Sequence, residues 1–285
     1  MQDKVVMVTG ATDGIGLVTA HQLANMGAEV IVVGRDAEKG NKVIEEIARS
    51  SGNERVSLMI ADLSSLQQVR QLAQTFNKEH TRLDVLVNNA GAIFTKRLES
   101  VDGYEMTFAL NHLNYFLLGN LLLDTLKTSA PSRLINVSSA AHHGQTIDFD
   151  DIENRRNYQG ARAYGQSKLA NILFTKALAK RLKGTHVTTN AMHPGFVATR
   201  FGHNNGGLMR IGMSLAHLFA LSPEQGAETI VHLASSPEVE TVTGEYFANR
   251  MLVSSSAASQ DAETAERLWE VSADMVSAYS NHLIE

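Results

Sequence analysis

The stretch VVMVTGATDGIG, residues 5–16, decides the fold of this 285-residue chain. Its first five residues are apolar or β-branched and predict a buried strand, and Gly16 begins a segment with helical periodicity. Glycines between a strand and a helix let the backbone turn sharply and approach a pyrophosphate, while the helix N-terminus offers N–H donors. Because strand, turn and helix follow one another as a dinucleotide-binding motif requires, the stretch predicts a nucleotide site.

Short apolar runs and segments of helical periodicity alternate along the rest of the chain. The sequence predicts strands over residues 5–9, 29–33, 56–60, 83–87, 134–137, 187–191 and 246–248, and helices over residues 16–26, 37–49, 66–77, 111–128, 161–183 and 259–283. Uniformly apolar strands are typical of parallel sheets that helices cover on both faces. The fold class that follows is α/β: a Rossmann-type doubly wound parallel β-sheet in three layers, within a single domain.

We expect two unequal parts within this domain. Residues 1–255 are predicted to form the nucleotide-binding catalytic part, including a substrate loop at residues 196–221. Residues 256–285 are predicted to form a helical extension packed on the same domain. Ligands of an α/β sheet bind beyond the carboxyl ends of its strands, so both the loop and the extension are candidates for covering a substrate.

The composition excludes several classes of function. A net charge of −5 gives no basic surface for nucleic acid, and the lack of cysteine excludes disulfides and thiolate metal sites. His142, His143 and His193 lack the spacing of a metal site, so we expect no metal. The longest apolar stretches, 115–126 and 209–221, are interrupted by polar residues and fall short of the ~20 residues of a membrane span. We expect a cytoplasmic protein without a signal peptide or membrane anchor.

The residues after the second predicted strand discriminate between the two nicotinamide cofactors. An acidic side chain there would bind a ribose 2′-hydroxyl, whereas an arginine can accept a 2′-phosphate. Arg35 occupies that position and Lys39 lies close behind it, which favours NADP(H). Asp13 in the glycine-rich turn would repel such a phosphate, so NAD(H) stays the less favoured alternative. Asp36 is interpreted as the N-cap of the next helix.

Tyr164 and Lys168 lie four residues apart in a helical segment, which places their side chains on one face. A tyrosine hydroxyl has a pKa near ~10, and a nearby ammonium would lower that pKa, which makes the pair a candidate acid–base unit. Small polar residues or glycines also follow neighbouring strands, at 88–91, 136–139 and 193–195. We therefore expect an active site where the carboxyl ends of these strands meet.

Five motifs occur in one order along the chain: TGATDGIG (9–16), NNAG (88–91), NVSS (136–139), YGQSK (164–168) and HPG (193–195). Over residues 4–250 the sequence resembles the short-chain dehydrogenase/reductase superfamily on these motifs. The resemblance implies an NADP(H)-dependent oxidoreductase that interconverts an alcohol and an aldehyde or ketone by hydride transfer.

The resemblance also implies a role for each matching catalytic residue. Tyr164 would be the general acid and base, and Lys168 would hold the nicotinamide ribose and lower the pKa of Tyr164. Ser139, the second serine of its pair, would polarise the carbonyl group. Asn111, which is predicted to open a long helix, would position a water molecule in a proton relay.

A cofactor-binding set spread over the strand ends follows from the same resemblance. It comprises Gly10, Thr12, Asp13, Gly14, Ile15, Gly16, Arg35, Asp62, Leu63, Asn88, Ala90, Gly91, Tyr164, Lys168, Pro194, Gly195, Val197 and Thr199. Within this set, Asp62 would contact the adenine, Asn88 the adenosine ribose region, and Thr199 the carboxamide or phosphate end.

Within the superfamily, AAHHGQTIDFDDI (140–152) and YGQSKLANILFTKALAKRL (164–182) look most like the retinol dehydrogenase branch and its carbonyl-reducing relatives. The apolar segment 208–221 favours a small to medium apolar substrate. A homodimer or homotetramer, paired through helices 111–128 and 161–183, is the assembly that the resemblance implies. The alternative function is a non-catalytic NADP(H)-binding regulatory protein on the same fold, because fold alone does not fix function.

Overall fold

The sheet of this protein has eight strands, seen in a computed structural model that describes residues 1–195 and 221–280. The strands are β1 (Val5–Thr9), β2 (Glu29–Gly34), β3 (Val56–Ile60), β4 (Val85–Asn88), β5 (Ser132–Val137), β6 (Val187–Met192), β7 (Tyr246–Ala248) and β8 (Met251–Leu252). They lie in the order β3-β2-β1-β4-β5-β6-β7-β8. Strands β1 to β7 run parallel, and only β8 pairs antiparallel, with β7.

Helices cover both faces of this sheet. They are α1 (Gly14–Asn25), α2 (Ala37–Ser51), α3 (Leu66–Glu79), α4 (Met106–Phe108), α5 (Asn114–Leu121), α6 (Leu123–Thr128), α7 (Gly160–Arg181), α8 (Pro223–Ser235) and α9 (Ala262–Val276). Alternate residues of β1 point to opposite layers: Val6 and Val8 pack with α1, α2 and α8, whereas Met7 packs with α3, α5 and α7. The predicted fold class, a three-layer doubly wound sheet, is confirmed.

The segment predicted as one helix over residues 111–128 is built differently. Helix α4 begins at Met106, a π-helical turn follows over Ala109–Leu113, and α5 and α6 complete the run. Asn111 therefore lies inside the π turn and does not open the helix as expected. The apolar periodicity of the sequence does not reveal the turn, because one extra residue per turn leaves the buried face apolar.

Strand β8 and helix α8 were not predicted from the sequence. Strand β8 has two residues, too few for an alternating pattern to show. Helix α8 begins with a capping box in which the Ser222 hydroxyl accepts from the Gln225 backbone N–H and the Gln225 side chain accepts from the Ser222 N–H. This pattern, with Pro223 at the first helical position, is a start signal that the sequence does carry.

The C-terminal helix α9 packs against α7 and α5. The Trp269 ring lies 4.8 Å from that of Phe116 and 5.9 Å from that of Phe174, measured between centroids, and the Arg181 guanidinium lies 4.1 Å from the Trp269 ring. The chain's own helix thus covers part of the surface through which two copies would pair on α5 and α7. Pairing through these helices stays a prediction. Within the described ranges, every helix is too short or too polar to cross a lipid bilayer.

Candidate active site

The glycine-rich turn after β1 is held close to the turn after β4. Gly10 has a positive φ of 63°, and a Cβ there would lie 2.9 Å from the Cα of Ala90. The Thr9 hydroxyl accepts from the backbone N–H groups of Asn89 and Ala90 at 2.8 and 3.1 Å. A Cβ on Gly16 would overlap the carbonyl oxygen of Gly10. Only glycine allows these backbones to approach so closely, as the sequence pattern indicated.

Asn89 was missed by the sequence reasoning and locks this arrangement. Its side-chain amide donates to the carbonyl oxygen of Thr9 at 2.8 Å, which ties the β4 turn to the β1 turn. Asn88, which was assigned to the cofactor, is fully buried and donates to the Asn136 side chain at 3.0 Å. The NNAG motif could have indicated both asparagines. Neighbouring residues of an extended segment point to opposite faces, so their two side chains are expected to have different partners.

Arg35 and Lys39, the two basic residues that follow β2, have different surroundings. Arg35 is exposed, whereas Lys39 forms an ion pair with Asp13 at 2.6 Å between Nζ and Oδ2. Asp13 also accepts from the Gly14 backbone N–H at 2.8 Å and caps α1. Asp36 caps α2 by accepting from the Lys39 N–H at 3.0 Å, so its predicted capping role is confirmed. Lys39 therefore offsets the charge of Asp13, and Arg35 stays accessible.

The remaining residues of the predicted cofactor set are placed as follows. The Asp62 carboxylate accepts from the N–H and hydroxyl of Ser64 at 3.0 and 2.8 Å, and Leu63 is buried. Gly195 has a positive φ of 80° and donates its N–H to His193 Nδ1 at 3.1 Å. Thr12 and Pro194 lie half-buried on the turns that follow β1 and β6, and Ile15 lies half-buried in the first turn of α1. Val197, Thr199 and nearly all of the predicted substrate loop 196–221 lie outside the described residues.

Ser139, Tyr164 and Lys168 come together beyond the ends of β4 and β5. Tyr164 is half-buried and its side chain hydrogen bonds with that of Ser139. The Lys168 Nζ lies 5.7 Å from the centroid of the Tyr164 ring and donates to the Val137 carbonyl oxygen at 2.9 Å. Ser138 is buried and donates to the Lys168 carbonyl oxygen at 2.7 Å. Of the two serines, Ser139 is therefore the one beside Tyr164.

The titration of these groups differs from the sequence expectation. Burial raises the pKa of Tyr164 to about 12, although the hydrogen bond with Ser139 works in the opposite direction. Burial also lowers the pKa of Lys168 to about 7. The sequence predicted a tyrosine pKa lowered by the lysine, but loss of hydration is the largest influence on the pKa of both groups here. At neutral pH Tyr164 keeps its proton.

Asn111 holds the loop after β4 with its whole side chain. Its Oδ1 accepts from the Ala92 N–H at 2.9 Å, and its Nδ2 donates to the Ala92 carbonyl at 2.9 Å and to Ser167 Oγ at 3.0 Å. A Cβ on Gly91 would lie 3.1 Å from Asn111 Oδ1 and 3.4 Å from Lys168 Nζ. The π turn, the β4 loop and the lysine therefore pack as one unit.

The His142 ring hydrogen bonds with the backbone of Ser139, a contact that was not predicted from the sequence. Its Nδ1 lies 2.7 Å from the Ser139 carbonyl oxygen and its Nε2 lies 3.1 Å from the Ser256 backbone nitrogen. A carbonyl can only accept and a backbone N–H can only donate, so Nδ1 carries the proton. Burial lowers the pKa of His142 to about 4, which keeps the ring neutral. The position of His142 in the sequence gave no sign of this contact.

Comparison with known proteins adds the family context. The family model described as short chain dehydrogenase matches residues 4–207. The chain is 44% identical to human retinol dehydrogenase 11 over 96% of its own length and 86% of that protein, and 43% identical to human retinol dehydrogenase 13 over 96% and 84%.

Two solved structures are similar to this chain in fold. A crystal structure of a putative uncharacterized protein from Mycobacterium paratuberculosis has a TM-score of 0.77 and 32% identity, covering 97% of this chain and 94% of that one. The RhlG/NADP active-site complex of Pseudomonas aeruginosa has a TM-score of 0.69 and 31% identity, covering 87% and 94%.

Proposed function

Because the chain belongs to the short-chain dehydrogenase family and is retinol dehydrogenase-like, we propose that it is an NADP(H)-dependent oxidoreductase that interconverts an alcohol and an aldehyde or ketone. The observation that carries the proposal is the convergence of Ser139, Tyr164 and Lys168 at the sheet edge that also bears the glycine-rich turn. Relatives that bear the name retinol dehydrogenase support an apolar substrate.

The cradle after β1 fits a nicotinamide dinucleotide. Gly10 and Gly16 have no side chain at positions where a Cβ would collide with neighbouring backbone. Helix α1 begins at the same turn, and its N-terminus is the positive end of the helix dipole. We assign the pyrophosphate to this turn, the 2′-phosphate to Arg35 and the nicotinamide ribose to Lys168. When bound, the cofactor supplies or accepts the hydride.

Tyr164 is proposed as the proton donor for carbonyl reduction. With a pKa of about 12 its hydroxyl is protonated at neutral pH and can transfer that proton to a developing alkoxide oxygen. Ser139, which hydrogen bonds with Tyr164, is proposed to donate to the same oxygen and so polarise the carbonyl. Asn111 is proposed to serve the proton relay by holding the β4 loop, because its amide is already used by Ala92 and Ser167.

The test of the reaction is the initial rate of NADPH oxidation against a panel of aldehydes, ketones and retinal. The wild type is expected to turn over, and Tyr164→Phe to lower kcat by about 10²- to 10⁴-fold with NADPH affinity changed less than about twofold. Undiminished turnover in the variant would contradict the mechanism. Tight NADPH binding without turnover on the whole panel would instead favour the regulatory alternative.

Arg35 is the residue on which the cofactor preference depends. Arg35→Ser should lower the ratio of kcat/KM with NADPH to that with NADH by about 10- to 100-fold, because a charge-assisted contact to phosphate is worth about 1.5–3 kcal/mol. The matched control is Lys42→Ser, since Lys42 is an exposed cation on α2 that pairs with Glu38. An equal loss with both cofactors would contradict the assignment.

A further inference from the structure

His112, the residue after Asn111, is a histidine that the proposed mechanism does not use. Its side chain is fully buried in the π turn, among the rings of Phe108, Phe116 and Phe174 at 4.9, 6.4 and 6.3 Å between centroids. Burial lowers its pKa to about 4, so the ring is neutral. A polar ring in such a place costs free energy unless both of its nitrogens are hydrogen bonded.

Both ring nitrogens of His112 have partners from other elements. Nδ1 lies 3.2 Å from Oδ1 of Asn171 in α7, and Nε2 lies 2.9 Å from the hydroxyl of Ser272 in α9. The Asn171 amide is oriented by its nitrogen, which faces two carbonyl oxygens. Its Oδ1 can only accept, so Nδ1 of His112 carries the proton and Nε2 accepts from Ser272. The hydrogen bonds therefore have one direction: Ser272 of α9 donates to His112, and His112 donates to Asn171 of α7.

Asn171 connects this series of hydrogen bonds to the active site. Its Nδ2 donates to the carbonyl oxygen of Asn111 at 2.9 Å and lies 3.4 Å from that of Val137. The Val137 carbonyl is also the acceptor of the Lys168 ammonium at 2.9 Å. One amide thus contacts both the turn that carries Asn111 and the oxygen against which Lys168 is held.

We propose that His112 and Asn171 are positioning residues for the reaction, and that Ser272 makes the C-terminal helix part of the active-site support. The proposal rests on the proposed function. His112 touches neither substrate nor cofactor in this arrangement; it fixes the Asn171 amide, which in turn fixes Asn111 and the acceptor of Lys168. A misplacement of about 1 Å in such a support can lower a rate by as much as ~10²-fold.

The experiment compares three substitutions in the full-length protein. His112→Phe fills the space but removes both hydrogen bonds, His112→Asn keeps a donor where Nδ1 stands, and Ser272→Ala removes only the outer partner. We expect kcat for NADPH-dependent carbonyl reduction to fall about 10-fold or more in His112→Phe, within about 3-fold of wild type in His112→Asn, and about 2- to 3-fold in Ser272→Ala. The KM and the NADPH dissociation constant should change by a smaller factor than kcat, because the cradle after β1 is untouched and only the support of Lys168, at the nicotinamide ribose, is weakened.

Ser129→Ala is the matched control for a lost buried serine. Ser129 accepts from the Leu83 N–H at 2.9 Å and donates to the Thr125 carbonyl at 2.7 Å, beside the amino-terminal ends of β4 and β5. Its substitution should lower thermal stability and leave kcat unchanged. A kcat in folded His112→Phe within twofold of wild type would overturn the proposal, as would equal losses in His112→Phe and His112→Asn.

Failure of the proposed function is recognised separately, by a wild type that binds NADPH but reduces no carbonyl. Amide hydrogen exchange then decides the positioning role without turnover. His112→Phe should speed exchange across residues 110–113 and 138–139 relative to wild type and Ser129→Ala, whereas unchanged exchange there would overturn the proposal.

Discussion

The glycine turn (residues 9–16) and the serine turn (residues 137–142) carry the two halves of the site and are held in different ways. The glycine turn depends on missing side chains, since a Cβ at Gly10 or Gly16 would collide with backbone. The serine turn depends on side chains behind it: His142 donates to the Ser139 carbonyl and Lys168 to the Val137 carbonyl. Steric exclusion shapes the first turn and buried hydrogen bonds shape the second.

This difference determines what a substitution does. In the glycine turn, any added atom displaces backbone and should affect cofactor binding first. In the serine turn, burial shifts the pKa values of the supporting groups His142 and Lys168, so this turn should respond to pH near neutrality, whereas the shape of the glycine turn rests on Gly10 and Gly16. Experiments on affinity and on pH dependence can therefore separate the two.

The largest expected effect is that of Gly10→Ala. Gly10 and Gly52 have almost the same positive φ, 63° and 65°, but a Cβ on Gly52 meets nothing within 4 Å whereas one on Gly10 approaches Ala90 to 2.9 Å. Both variants should lose about 1–2 kcal/mol of stability from the left-handed backbone. Only Gly10→Ala should also weaken NADPH binding, by about 10- to 100-fold in a fluorescence titration, because the added carbon displaces the backbone of the pyrophosphate cradle at a cost of roughly 1–3 kcal/mol. Equal affinities in the two variants would show that close approach is not what the turn requires.

The second effect concerns the buried ammonium of the serine turn. Burial lowers the pKa of Lys168 from its usual 10.5 to about 7 in the folded protein, so between these values the unfolded chain binds a proton that the folded chain does not. The free energy of unfolding therefore rises with pH across this window. Relative to Lys168→Met, the wild type should gain about 2 kcal/mol between pH 7 and pH 9 in denaturant titrations. A difference that is independent of pH would contradict a lysine whose pKa is lowered by burial.

How much the sequence could predict follows the same division. Glycines in the first turn mark close approach by their identity, so TGATDGIG indicated where the turn between β1 and α1 lies. The side chains behind the second turn are ordinary polar residues whose partners are distant in sequence. His142 meets Ser256 across 114 positions and His112 meets Ser272 across 160, and no local pattern encodes such pairs.

Tyr164 and Lys168 show the boundary between the two cases. Their spacing of four residues and the YGQSK motif placed them on one face of α7, where the structure has them. Their titration could not be predicted in the same way, since it depends on how many elements bury them, and burial reversed the expected direction for Tyr164. Spacing therefore predicts which groups meet, and packing decides their protonation.

The smallest expected effect is the acid sensitivity that His142 gives to the serine turn. Its pKa is lowered from 6.5 to about 4 in the folded protein, so below pH 6.5 the unfolded chain binds a proton that the folded ring refuses, and stability is lost as the pH falls. Between pH 7 and pH 5 the wild type should lose about 1–2 kcal/mol relative to His142→Phe, because only the unfolded chain takes up the proton over this range. His112 has the same pKa and is present in both proteins, so its contribution cancels in the difference. The free energy of unfolding of Gly10→Ala should be lower than that of the wild type but change with pH in the same way. Loss of the acid sensitivity in Gly10→Ala would show that the two turns are not held independently.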